Sequence, residues 1–92
     1  MALRLEDFEG GVGEAYEMDA RGEPLPVTLE TLQALPPSGR EAGAFRLEWR
    51  GPREPVLPQA TYSFRRDGRS FEMFVVPVAR DDRGTLYEAI FN

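Results

Sequence analysis

The dipeptide Asp67-Gly68 separates two alternating runs, ATYSFRR before it and RSFEMFVVPVAR after it. Such a dipeptide between alternating apolar runs is the strongest short-range signal for a two-residue β-hairpin, because a type I′ turn needs positive φ at both central residues. Centring the turn there pairs Phe64 with Phe71, Tyr62 with Met73 and Ala60 with Val75, which puts six apolar or aromatic side chains on one face. A register that matches every pair in this way is self-consistent, since a slip of one residue would send the whole set to the other face.

The second run contains Pro77, which has no N–H to give to a neighbouring strand. On the side of the first run, Pro77 would face position 58, itself a proline, where the partner strand begins. The turn signal DDRG at positions 81–84 sets a second register on the other side, with Val78 against Tyr87, Val76 against Ala89 and Phe74 against Phe91. There Pro77 falls opposite Glu88 in a pair that exchanges no hydrogen bonds. Residues 70–80 therefore read as a central strand flanked by residues 60–66 and 85–91. This strand carries Phe71, Met73 and Val75 on one face and Phe74, Val76 and Val78 on the other. Apolar residues on both faces predict burial on both, in a closed small barrel or a sandwich.

Short alternating runs with turn signals every ten to fifteen residues mark the rest of the chain as antiparallel β. LEDF places Leu5 and Phe8 on one side of a short N-terminal helix, stopped by Gly10-Gly11, that plugs one end of the sheet. EAYEMD alternates with Tyr16 and Met18 inward, and ARGE turns it. PLPVTLETLQAL is ambiguous: Leu25, Val27 and Leu29 alternate as in a strand, while Leu29, Leu32 and Leu35 have helical spacing. It is assigned to a strand. FRLEWR is clean alternation with Phe45, Leu47 and Trp49 inward, and the proline-rich GPREPVLP is a stiff loop. The expected fold is all-β, a small antiparallel barrel or sandwich of about six strands with a short N-terminal helix, in a single domain over residues 1–92.

Composition narrows the chemistry. The 92 residues contain no cysteine and no histidine, and all 11 basic side chains are arginine. Thiol nucleophiles, histidine general bases, lysine Schiff bases and the usual zinc or iron ligands are thereby excluded. The net charge of −5 is uneven, with eight acidic and two basic residues before position 36 and eight acidic and nine basic after it. An acidic end argues against nonspecific binding to nucleic acid or an anionic membrane surface. The start MALRLEDFEG lacks the basic-then-apolar pattern of a secretory signal, and the longest apolar run is far short of a membrane span. A soluble, cytoplasmic protein is expected.

LRLEDF, GP…VLPQATY, FVVPV and the terminal YEAIFN together resemble an uncharacterised family of roughly hundred-residue bacterial proteins, a domain of unknown function, over nearly the whole chain. The chain carries Ala60 where that family has glycine in the loop. The resemblance implies no activity, and the occurrence of relatives beside phage-tail-like collar proteins implies a small accessory or assembly role.

The candidate sites each have a plainer reading. Arg65, Arg66 and Arg69 crowd one hairpin tip and could clamp a phosphate or a partner's carboxylate; the alternative is a splayed, hydrated tip. Trp49, Tyr62 and Tyr87 could line a barrel mouth that holds a small apolar or anionic ligand, although Trp49 lies in phase with the core residues Phe45 and Leu47. Glu6, Asp7, Glu9, Glu14 and Asp19 lack the ligand spacing of a calcium loop and read as a solvated face, as Asp81 and Asp82 read as turn formers. GGVG at positions 10–13 lacks the βαβ context of a dinucleotide site. A carboxylate pair such as Glu88 and Asp82 would need a cleft that a domain of this size seldom encloses. No catalytic residue, metal or cofactor is expected. The leading expectation is a non-catalytic interaction or assembly module whose partner is another protein or a second copy, and the alternative is a small-ligand-binding barrel.

Overall fold

The computed structural model describes residues 2–92. Six antiparallel strands follow a single 3-10 turn at Leu5–Phe8. They are β1 (Ala15–Ala20), β2 (Glu23–Ala34), β3 (Phe45–Gly51), β4 (Ala60–Arg66), β5 (Arg69–Asp81) and β6 (Gly84–Phe91). They close into a barrel in the order β1-β2-β3-β6-β5-β4, which decides between the barrel and the sandwich. The expected N-terminal helix is this one tight turn, with Phe8 fully buried at its end.

The β4–β5 hairpin has the expected register from Ala60↔Val75 through Arg66↔Arg69. Asp67 and Gly68 have φ of 51° and 77°, as a type I′ turn requires. Arg21 and Gly22, at 58° and 93°, turn β1 into β2 in the same way. Pro24 and Pro26 in β2 face Asp19 and Glu17 of β1. Both are alternate to the pair Ala20↔Glu23 that flanks the turn, so neither position donates to β1. On their other side the ladder to β3 begins only at Thr28, so no neighbour needs their missing N–H.

Two β-bulges correct the sequence reading. In β2, Leu29 lies opposite Trp49 and Thr31 opposite Glu48, so Glu30 is the extra residue and Leu32 lands opposite Leu47. The bulge brings two residues three apart onto the same face, which is why the segment imitates helical spacing while remaining a strand to Ala34. In β5, Asp81, Arg80 and Ala79 take the expected partners Gly84, Thr85 and Leu86, but Val78 then bulges out. Pro77 consequently faces Tyr87 and Val76 faces Glu88. The expected pairs Val78–Tyr87, Val76–Ala89, Phe74–Phe91 and Pro77–Glu88 are each displaced by one residue. Pro77 is accommodated because it adjoins a bulge and lies beyond the end of the β4 ladder.

The expected burial of both β5 faces is also corrected. Phe71, Met73 and Val75 are buried, whereas Phe74 is 53% and Val78 48% exposed. A closed barrel has only one interior, so the second apolar row of β5 lies outside.

That interior is filled with aromatic side chains. The Trp49 indole meets Tyr16 edge-on at 4.7 Å, Phe64 at 4.6 Å and Phe8 at 6.2 Å between ring centroids. Phe8, delivered by the 3-10 turn, also packs against Phe71 at 5.0 Å and Phe45 at 6.1 Å, so it plugs the barrel as expected. Trp49 Nε1 is buried without a hydrogen-bond partner, surrounded by rings. The C-terminal strand ends with Phe91 stacked on Phe45 at 4.6 Å. The Arg40 guanidinium lies over both rings and donates to the carbonyls of Gly43 and Leu3, tying the loop after β2 and the N-terminal segment to this end of the barrel.

At Gly84 the backbone has φ of 121°, and a Cβ there would run into the carbonyl oxygen of Gly51. Gly84→Ala is expected to destabilise the fold by ~2 kcal/mol or more, the range of strained backbone positions, and to lower Tm by on the order of 10 °C. Deleting residues 90–92 removes the Phe91 stack and the end of the β6 ladder. Circular dichroism of the truncated chain is expected to show loss of the cooperative unfolding transition, and a native-like melt would sink that expectation.

Candidate functional site

The β4–β5 hairpin tip brings Arg65, Arg66 and Arg69 together, as expected. The type I′ turn holds Arg66 opposite Arg69, a like-charge pair that costs a few tenths to ~1 kcal/mol unless neutralised. Each guanidinium meets its own carboxylate: Arg65 with Glu17 at 3.7 Å, Arg66 with Asp67 at 3.7 Å and Arg69 with Asp7 at 3.4 Å. Arg66 further covers the Tyr16 ring at 5.5 Å and Arg69 the Phe71 ring at 4.8 Å. The tip overhangs an open depression of about 270 Å³ between Glu17 and Ser70. With three positive and three negative groups its local charge cancels, so an arriving anion would have to displace a carboxylate already in place.

Trp49, Tyr62 and Tyr87 do not line an open mouth. Trp49 and Tyr87 are fully buried and Tyr62 is nearly so, because strands β3, β4 and β6 turn them into the packed interior. The Tyr87 hydroxyl accepts a hydrogen bond from the Leu57 amide at 3.0 Å, and the Tyr62 hydroxyl donates to the Pro58 carbonyl at 2.6 Å. These two bonds hold the proline-rich loop over the end of the barrel. Burial pushes the Tyr62 phenol above its ordinary pKa, against the opposing effect of the Arg21 charge, so it remains a neutral donor.

Glu88 and Asp82 are not brought together. Glu88 lies on the barrel wall, bonded to Arg46 at 3.0 Å, while Asp82 is in the β5–β6 turn near Arg53. Gly84, at the β6 end of that turn, and Glu88 are four strand steps apart, a span of about 13 Å. Among the described residues no three acidic side chains cluster as a metal site would need. Asp7 instead caps the 3-10 turn through the Arg4 amide, and Asp19 accepts from the Gly22 amide.

Two surface features were not assigned from sequence. The first is an ion-pair belt. Glu30, the bulge residue of β2, makes a two-point contact with Arg50 at 2.8 and 3.1 Å and also meets Arg83, while Arg50 reaches Asp81 at 3.2 Å. Arg46 similarly joins Glu48, Glu88 and Gln33. The hydrogen bonds from Arg50 hold the Glu30 carboxyl below the usual carboxylate range. The outward charges of FRLEWR signalled one side of this belt; the bulge that supplies Glu30 had no local signature.

The second feature is apolar. Phe74 and Val78 of β5 and Ile90 of β6 are about half exposed on the outer wall, with Val76 and Leu86 partly exposed beside them. Continuing the Val76↔Glu88 register places Phe74 alongside Ile90. Hydrophobic residues gathered in this way on a small domain mark an interaction surface more often than isolated ones do.

The belt has a pH signature. A carboxyl whose folded pKa is depressed contributes stability above its unfolded pKa and loses it as pH falls through the folded value. Glu30→Gln is therefore expected to cost about 1 kcal/mol in urea unfolding at neutral pH, with the gap to wild type closing below roughly pH 4. A gap of equal size at pH 7 and pH 3 would contradict the assigned role of the charge.

Among the described residues no helix is long and apolar enough to cross a membrane. No curated protein and no solved structure matches the chain. One family model does, over residues 3–91, and its description is Domain of unknown function (DUF6916). With every residue from Leu3 to Phe91 inside that match, from the plug turn to the last strand, the chain belongs to this family.

Proposed function

We propose that this protein is a non-catalytic interaction module that docks another protein through the outer wall of β5 and β6. The observation that carries the reading is the exposed row Phe74, Val78 and Ile90 on the outer wall of the barrel. Covering such side chains gains roughly 25 cal/mol for each Å² removed from water, and the paired charges of Arg46, Glu48 and Glu88 beside them form a polar rim that need not be broken. The aromatic filling of the interior weighs against the small-ligand alternative, which needs a chamber or mouth. The matched charges of Arg65, Arg66 and Arg69 make the hairpin tip a secondary contact rather than the anchor. An accessory or assembly role beside phage-tail-like proteins is the setting that the family resemblance favours, and a cytoplasmic location is proposed with it.

The test is affinity capture from the native host with three baits: wild type, Phe74→Ser with Ile90→Ser, and Arg66→Glu with Arg69→Glu. Each bait is first shown to be folded by circular dichroism. A partner kept by wild type and by the arginine variant but lost by the apolar variant is the expected result. Loss only in the arginine variant would move the anchor to the tip. Capture of no protein, together with a metabolite that raises Tm, would favour the ligand-binding alternative.

A further inference from the structure

The joint between β1 and β4 is the narrowest in the barrel. Its ladder holds two pairs, Glu17↔Arg65 and Met18↔Phe64, against seven in β4–β5. Beyond Met18 and Phe64 the strands part, with Asp19 and Arg21 on one bank and Thr61 and Ser63 on the other. Between them is an open depression of about 360 Å³, with Glu72 of β5 beside Ser63.

Strand alternation fixes what the β4 bank offers. Arg66 and Arg69 flank a type I′ turn and exchange hydrogen bonds, so Phe64, Tyr62 and Ala60 direct their main-chain groups toward β5. Arg65, Ser63 and Thr61 direct theirs toward β1. Arg65 meets Glu17 there, but Ser63 and Thr61 have no ladder partner on that side. The edge is not blunted by a bulge, a proline or a lysine within residues 60–63, the devices that normally protect such a strand. Charge supplies a second, independent observation. Every arginine of the hairpin tip has its own carboxylate, whereas among the described residues Asp19 and Glu72 enter no ion pair and together outweigh Arg21, which lines the same depression.

We infer that the Thr61 edge of β4 receives an extended, basic peptide segment of a partner as an added strand. The segment's main chain bonds the N–H and C=O of Thr61, and its Lys or Arg side chain lies between Asp19 and Glu72. Strand addition of this kind takes affinity from main-chain bonds and selectivity from side-chain contacts. The inference rests on the docking reading and names how one segment of a partner is held. It uses the β1-facing edge of β4; Thr61 is the cross-strand neighbour of Phe74, but Val78 and Ile90 lie away from it, so the two can fail separately.

The experiment is nuclear magnetic resonance of the ¹⁵N-labelled protein with an eight-residue peptide of alternating Lys and Thr, beside its Glu–Thr counterpart. In the free protein the Thr61 amide is expected to exchange with solvent quickly while those of Tyr62 and Phe64 exchange slowly. The Lys–Thr peptide is expected to shift and protect Thr61, and the Glu–Thr peptide to leave it unmoved. Glu72→Lys is expected to weaken the Lys–Thr peptide about fivefold, the upper range of one exposed charge contact. Ile90→Ser, on β6 and away from Thr61, is expected to leave it bound. A Thr61 amide already slow in the free protein would overturn the inference, because the edge would then be paired. Absence of Lys–Thr binding, or shifts confined to the acidic N-terminal segment, would overturn it too while leaving the β5–β6 docking face standing.

Discussion

Trp49 occupies the position on which the rest of the barrel depends. Its indole is in contact range of rings from the 3-10 turn, β1 and β4 at once, and it is carried by β3, so four separate segments are registered around one side chain. A buried aromatic contributes a large apolar area together with a preferred edge-to-face geometry, which makes such a cluster both stabilising and specific. The indole N–H is left without an acceptor, a cost of about 1–3 kcal/mol that the packing and the surrounding ring faces must offset. Aliphatic side chains such as Val27, Leu29, Leu47 and Val75 pack around these rings, so the interior is a filled core and the exposed large side chains Phe74, Val78 and Ile90 lie on the outer wall.

The outer wall owes its two most distinctive features to bulges. At Glu30 the extra residue of β2 directs a carboxylate along the wall to Arg50, anchoring the charged belt. At Val78 the extra residue of β5 adds an apolar side chain to the outward row that Phe74 begins. A bulge changes the phase of a strand without ending it, so one device gives β2 a continuous inward row of leucines and gives β5 a place for Pro77. The arrangement also explains why charge matching differs around the barrel. Arginines at the hairpin tip and along the belt are tied to carboxylates, while β1 and β4 diverge and leave Asp19 and Glu72 without ion-pair partners.

Much of the fold was legible from local pattern. Asp67-Gly68 announced its turn because few other dipeptides accept positive φ twice, and the register it implied for β4 and β5 holds along its whole length. The alternation of Phe45, Leu47 and Trp49, and of Tyr16 and Met18, identified inward rows because period-two burial has no other simple origin. The arginine tip was legible for the same reason, being fixed by the turn. The neutralising carboxylates were not, since Asp7 and Glu17 come from distant segments.

The sequence by itself therefore determined the strands, the hairpins and the all-β class, since these depend on neighbours in the chain. Tertiary structure alone decided closure of the barrel, the slip of Pro77 from Glu88 to Tyr87, and the exposure of Phe74 and Val78. It also turned Trp49, Tyr62 and Tyr87 from candidates for a mouth into parts of the interior. The physical reason is common to all of these. An apolar row on a strand states that one face avoids water, but which of two apolar rows is buried depends on the curvature of the closed sheet and on the space that the aromatic side chains leave within it.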